Sequence, residues 1–235
     1  MESAELHELL YRGRVQVEGR VPYSSNQALL VSVSGAENSV LACYKAEMGE
    51  RPLWDFPEGL WRREVAAYVL DDHLGLGVVP ITVGREDLPF GPGSLQWWVS
   101  DATDDHYFTL REKPELEEWL RALAVFDVVA NNADRKGGHV IFDGTRCWAI
   151  DNGLCFHPED KLRTVIWDYA FTPIPEVVLS SLRRLTDGDG EFLRQWLERD
   201  EVDATLERAE ELLREGCLPP PDEDREWPPY PWPLI

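Results

Sequence analysis

Four ionisable residues follow one another in the order that a phosphoryl-transfer site requires. Lys45 ends an apolar run, Ser39 to Lys45, and Glu64 lies in the helix-like segment Arg62-Arg63-Glu64-Val65 that follows. Asp134 sits in the loop-like stretch Asn132-Ala133-Asp134-Arg135-Lys136, and Asp151 in Ile150-Asp151-Asn152-Gly153. In such a site a strand lysine holds nucleotide phosphates and a helix glutamate orients it. A loop aspartate takes the acceptor's hydroxyl proton, and a later aspartate binds a divalent cation. Taken singly, each has a plainer role. Lys45 and Glu64 could be solvated surface charges, Asp134 could open a turn into Gly137-Gly138, and Asp151-Asn152-Gly153 could end a strand. Their shared order selects the chemistry.

The intervening sequence supplies elements able to position them. Glu2 to Leu10 has the apolar spacing of a short amphipathic helix. Arg12 to Gly19, Ala28 to Val33 and Ser39 to Lys45 read as three antiparallel strands separated by turns. Leu60 to Leu74 fits a helical period, and Val78 to Val83 and Ser94 to Val99 read as two further strands. Pro114 to Val129 is a long helix. His139 to Phe142 and Arg146 to Ile150 form a hairpin turning at Asp143-Gly144. Two or three helices are expected between Pro175 and Glu215, followed by a Pro/Trp-rich extended tail.

With these elements around them, the residues resemble the protein-kinase-like superfamily and, within it, the phosphatidylinositol 3-/4-kinase branch. The chain is similar to a family of small bacterial proteins, found largely in high-GC Gram-positive organisms, that is distantly related to those lipid kinases. Asp134-Arg135 resembles the branch's Asp-Arg-His catalytic loop, and Asp151-Asn152-Gly153 its Asp-Phe-Gly equivalent, over Val15 to Phe156. The resemblance implies ATP and Mg2+, or Mn2+, as cofactors. It implies that Ser24 and Ser25 cradle phosphate with Lys45 and Glu64, and that adenine sits near Trp98. Asp134 would act as base, with Arg135 and Lys136 steering an anionic substrate or neutralising transition-state charge. Asp151 would bind the metal, with His139 as an atypical second ligand where the pattern places asparagine. Three features depart from the pattern: the turn Pro22 to Gln27 has no Gly-rich motif, His139 replaces asparagine, and no activation segment follows Gly153. Two functions are therefore weighed: an ATP-dependent phosphotransferase, and a nucleotide-binding pseudokinase or scaffold. Nucleotidyl transfer to a protein hydroxyl fits the same residues.

Composition bounds the partners. The 235 residues include 43% hydrophobic residues, enough for a core, and 23 Lys+Arg against 44 Asp+Glu give a net charge of −21. So acidic a chain repels nucleic acid and anionic membranes, which leaves a protein or small-molecule hydroxyl ahead of a membrane lipid as acceptor. Much of the excess lies in Asp101 to Glu118 and Asp187 to Glu226, away from the candidate site. There is no membrane-length apolar run, and the acidic start does not resemble a secretory signal. Cys43, Cys147, Cys155 and Cys217 have no metal-site spacing and read as reduced, packed thiols, and the remaining histidines share no ligand spacing. The expectation is a cytoplasmic α+β protein with a two-lobed protein-kinase-like fold. It would comprise an antiparallel N-lobe over 1–100, a mainly helical C-lobe over 101–218, and a tail over 219–235.

Overall fold

In the computed structural model, residues 1–21, 27–225 and 227–235 are described. The strand-like runs become one antiparallel sheet: β1 (Arg14–Arg20), β2 (Leu29–Ser34), β3 (Ser39–Ala46), β4 (Thr82–Arg85) and β5 (Gly93–Trp97), ordered β1-β2-β3-β5-β4. Alternation divides its faces. Val31, Val33, Ala42, Tyr44, Val83 and Leu95 form one core with Leu6 and Leu10 of α1 (Ser3–Arg12). The pairings Cys43 with Gln96 and Lys45 with Ser94 put these four residues on the opposite face. Gly93 lets β5 approach closely, since a Cβ there would lie 2.4 Å from the Lys45 carbonyl oxygen.

Helix α2 (Leu60–Leu74) starts where the Glu50 carboxylate accepts the N–H groups of Gly59 (2.9 Å) and Trp61 (2.6 Å), capping its first turn. It ends at Gly75, whose φ of 68° reverses the chain. Even Arg63, Glu64 and Asp71 are buried along it, because α2 lies between the sheet and the helical half. The expected strand from Val78 begins only at Thr82. Val78 and Val79 turn instead into the helical core, their N–H groups held by the Asp71 carboxylate at 3.1 and 3.0 Å.

The helical half comprises α3 (Tyr107–Leu110), α4 (Glu117–Ala130), the hairpin β6 (Val140–Phe142) with β7 (Cys147–Ala149), α5 (Glu176–Asp187) and α6 (Arg199–Glu215). Its core joins Leu120, Phe126, Leu182 and Leu212 to Ala66, Leu70 and Leu74 of α2. The four cysteines are free thiols. Among the described residues no helix is long and apolar enough to cross a membrane. The tail returns along this half: Pro229 accepts hydrogen bonds from the Thr164 N–H (3.1 Å) and Trp167 Nε1 (3.2 Å), and Leu234 accepts one from the Gly137 N–H (2.7 Å). The mixed α+β class, with a sheet half and a helical half, matches the sequence expectation.

Candidate active site

Strand β3, helix α2 and the segment after β7 bring three of the expected residues into direct contact. Lys45 Nζ donates to Glu64 Oε1 and, at 2.7 Å, to Asp151 Oδ1. Glu64 is 2% exposed, and its second oxygen accepts the Asn152 N–H at 3.1 Å. One buried carboxylate thus fixes both the lysine and the loop bearing Asp151. Burial works against the Lys45 charge, but Asp151 and Glu64 outweigh it and raise its pKa. The same ammonium, against a desolvation cost, holds Asp151 well below the usual carboxylate range. Asp151 has a φ of 58°, a left-handed conformation that aspartate tolerates better than most residues.

His139, in a single helical turn after Gly137, places Nε2 3.5 Å from Asp151 Oδ2. Burial pushes its pKa down to about 4, so the imidazole is neutral and keeps a lone pair for a cation; Nδ1 is buried without a partner among the described residues. Asp151 and His139 can therefore supply one oxygen and one nitrogen to a divalent ion, a set that suits Mn2+ better than Mg2+. Among the described residues no group of three or more His, Cys, Asp or Glu side chains could hold a metal. Oxygens of water or of a bound ligand would have to complete the shell.

Asp134 is held by its own loop. Its N–H donates to Asn132 Oδ1 at 2.9 Å, and Lys136 Nζ donates to its Oδ2 at 2.8 Å. Burial raises its pKa, Lys136 opposes that rise, and the Asp151 charge adds to it. Arg135 corrects the expectation that it faces substrate. It is fully buried, with Nε and Nη2 on Asp127 of α4, Nη1 on the Ile150 carbonyl (2.8 Å) and Nη2 on Asn152 Oδ1 (2.6 Å). Its guanidinium ties the Asp134 loop to α4 and to the Asp151 loop, and no anionic substrate can reach it. Asp127 and Asn152 complete this network, with Thr164 Oγ1 donating to Asp127 at 3.0 Å. An acid inside the apolar run Leu123 to Val129 was the sequence signal for Asp127. Trp98 follows β5, half-buried, with its N–H on the Leu41 carbonyl at 3.0 Å. Ser24 and Ser25 lie outside the described residues.

No protein-family model matches the chain. Protein Rv2133c of Mycobacterium tuberculosis is 38% identical over 269 aligned positions, covering 97% of this chain and 95% of that protein. The chain belongs to the Rv2133c family. Solved structures share its fold. Hydra Fam20, solved with sugar, superposes with a TM-score of 0.62 at 14% identity, covering 90% of this chain and 87% of that one. The Golgi casein kinase gives a TM-score of 0.58 at 12% identity, covering 90% and 75%. At such identities the likeness establishes a kinase-like architecture and nothing finer.

Proposed function

We propose that this Rv2133c-family protein is an ATP-dependent phosphotransferase. One observation carries the proposal: Lys45 Nζ bonds two carboxylates that lie 19 and 106 residues away, Glu64 and Asp151. In that role Lys45 binds the nucleotide phosphates, Glu64 holds it in place, and Asp134 orients the acceptor hydroxyl and takes its proton. Lys136, paired with Asp134, lends positive charge beside the transferring group. Asp151 and His139 would hold the divalent ion, which when bound neutralises charge on the nucleotide phosphates. Arg135 acts only by positioning the two loops. In this reading Asp134-Arg135 and Asp151-Asn152-Gly153 stand where the phosphatidylinositol 3-/4-kinase branch has its Asp-Arg-His and Asp-Phe-Gly motifs.

The test has two stages. Thermal shift with ATP plus Mg2+ or Mn2+ is expected to raise the melting temperature, more with Mn2+. Radiolabelled transfer from ATP is then expected to be lost in Asp134→Ala and Asp151→Ala. Unchanged transfer in both variants sinks the assignment. A second reading, a nucleotide-binding pseudokinase, is favoured by His139 standing beside Asp151 where an oxygen ligand is expected. Nucleotide binding without transfer to any acceptor would select it.

A further inference from the structure

Asp134 and Lys136 open onto a groove of about 980 Å3 whose other lining residues have no role above. It is lined by Trp54 and Phe56, from the loop between β3 and α2, and by Trp227, Tyr230 and Trp232 of the tail. Trp54 is 82% and Trp232 87% exposed, and the rings of Trp54 and Trp227 meet with centroids 6.0 Å apart at 49°. Exposed indoles gathered along one groove mark a surface built to be covered.

The charges between them are balanced. Lys136 pairs with Asp134, Arg225 with Asp160 and Asp222, and Lys161 and Arg163 converge on Asp55, each at 3.8 Å. In a chain of net charge −21 this lining is close to neutral, so it favours neither a strongly acidic nor a strongly basic occupant. Its polar groups are side-chain donors and acceptors standing in pairs, beside flat aromatic faces. That combination fits a neutral ligand bearing many adjacent hydroxyls and an apolar C–H face. The volume is at the top of the range for small-ligand sites, enough for several linked rings.

We propose that this groove is the acceptor site and that the acceptor is a carbohydrate, a proposal that rests on the phosphotransferase reading. The indoles of Trp54, Trp227 and Trp232 stack on sugar rings, and the ion pairs hydrogen-bond their hydroxyls. One hydroxyl oxygen, presented to Asp134, forms the new bond to the γ-phosphorus of ATP. The bond from that phosphorus to the β-phosphate oxygen breaks, ADP leaves, and the hydroxyl proton passes to Asp134.

The test uses the full chain on an array of neutral and acidic mono- to tetrasaccharides, with the best binder titrated by tryptophan fluorescence. A neutral saccharide is expected to bind saturably. Trp54→Ala and Trp232→Ala, both at exposed positions that leave folding intact, are expected to weaken it about tenfold each. Asp134→Asn is expected to keep binding and lose transfer to that saccharide. The proposal is overturned if no saccharide binds, if binding ignores both tryptophans, or if Ser/Thr peptides (acidic, basic or proline-rich) are the acceptors that need them. Thermal shift with ATP on the same preparation separates the two failures. A nucleotide response without saccharide binding sinks only the acceptor assignment, and saccharide binding without a nucleotide response sinks the phosphotransferase reading.

Discussion

Arg63 of α2 and Glu201 in the first turn of α6 form a buried ion pair, 4% and 5% exposed, one residue away from the Glu64 that holds Lys45. It has company: the rings of Trp61 and Trp196 meet edge-on at 6.1 Å, and His73 stacks on Phe192 at 4.2 Å. The helix that carries Glu64 is thus clamped to the segment 192–201 at three points along its length. The Lys45–Glu64 contact is built into the packing of the two halves.

Removing one partner of that pair leaves a buried charge. Arg63→Met or Glu201→Gln is expected to cost about 3–5 kcal/mol in urea unfolding. The double variant Arg63→Met with Glu201→Leu, which leaves no charge behind, is expected to recover most of the loss. Additive losses in the double variant would show that the two side chains do not depend on each other.

Arg135→Lys keeps the charge and loses the fork. Because the guanidinium binds Asp127, the Ile150 carbonyl and Asn152 at once, this variant is expected to be destabilised by about 2 kcal/mol or more. Calorimetric melting checks it. A variant as stable as wild type would show that charge alone suffices there.

Lys45→Met is expected to abolish the ATP-induced thermal shift and to expose the pH dependence of Asp151. Lys45 depresses the Asp151 pKa in the folded protein, so the pair contributes stability above the ordinary carboxylate value, and that contribution is lost as pH falls. The stability gap between wild type and Lys45→Met should therefore narrow below about pH 4. A gap constant from pH 7 to pH 3 contradicts the pairing.

Asp71 has the opposite sign. Burial, only partly offset by the N–H groups of Val78 and Val79, raises its pKa to about 7. The folded state then binds more protons than the unfolded chain between about pH 4 and 7, so this group's contribution falls as pH rises, by up to about 1.4 kcal/mol per unit. Urea titrations of wild type and Asp71→Asn across that interval should diverge, wild type losing stability relative to the variant. Parallel curves would refute the shift.

Much of this was legible in the sequence, and what was not has physical causes. Alternation over Arg12 to Gly19 located β1, and the turn signals after it bounded β2 and β3. The order Lys45, Glu64, Asp134, Asp151 drew attention to segments of which the fold joins three, at Lys45, Glu64 and Asp151, since strand ends and loops are where a fold presents polar groups. Arg135 was misjudged because a cation reads the same in solvent as against a buried acid, and Asp127 lies on a different element. The strand expected from Val78 fell short because its pattern was apolar without saying which core would take it. The clamp from Arg63 to Glu201 spans the chain, and no local period reports a pairing of that range. The tail's Pro and Trp content announced an extended strap, but the Pro229 and Leu234 anchors are backbone carbonyls, which carry no side-chain signature.

Those anchors bear on biosynthesis. A chain leaves the ribosome from its N-terminus, and its parts fold as they emerge. Lys45 and Glu64 can meet early, yet the Gly137 N–H waits for the Leu234 carbonyl and Thr164 for that of Pro229. The loop bearing Asp134 is completed only when residues 229–234 are made, so a nascent chain stalled short of them carries Lys45, Glu64 and Asp151 without a finished Asp134 loop.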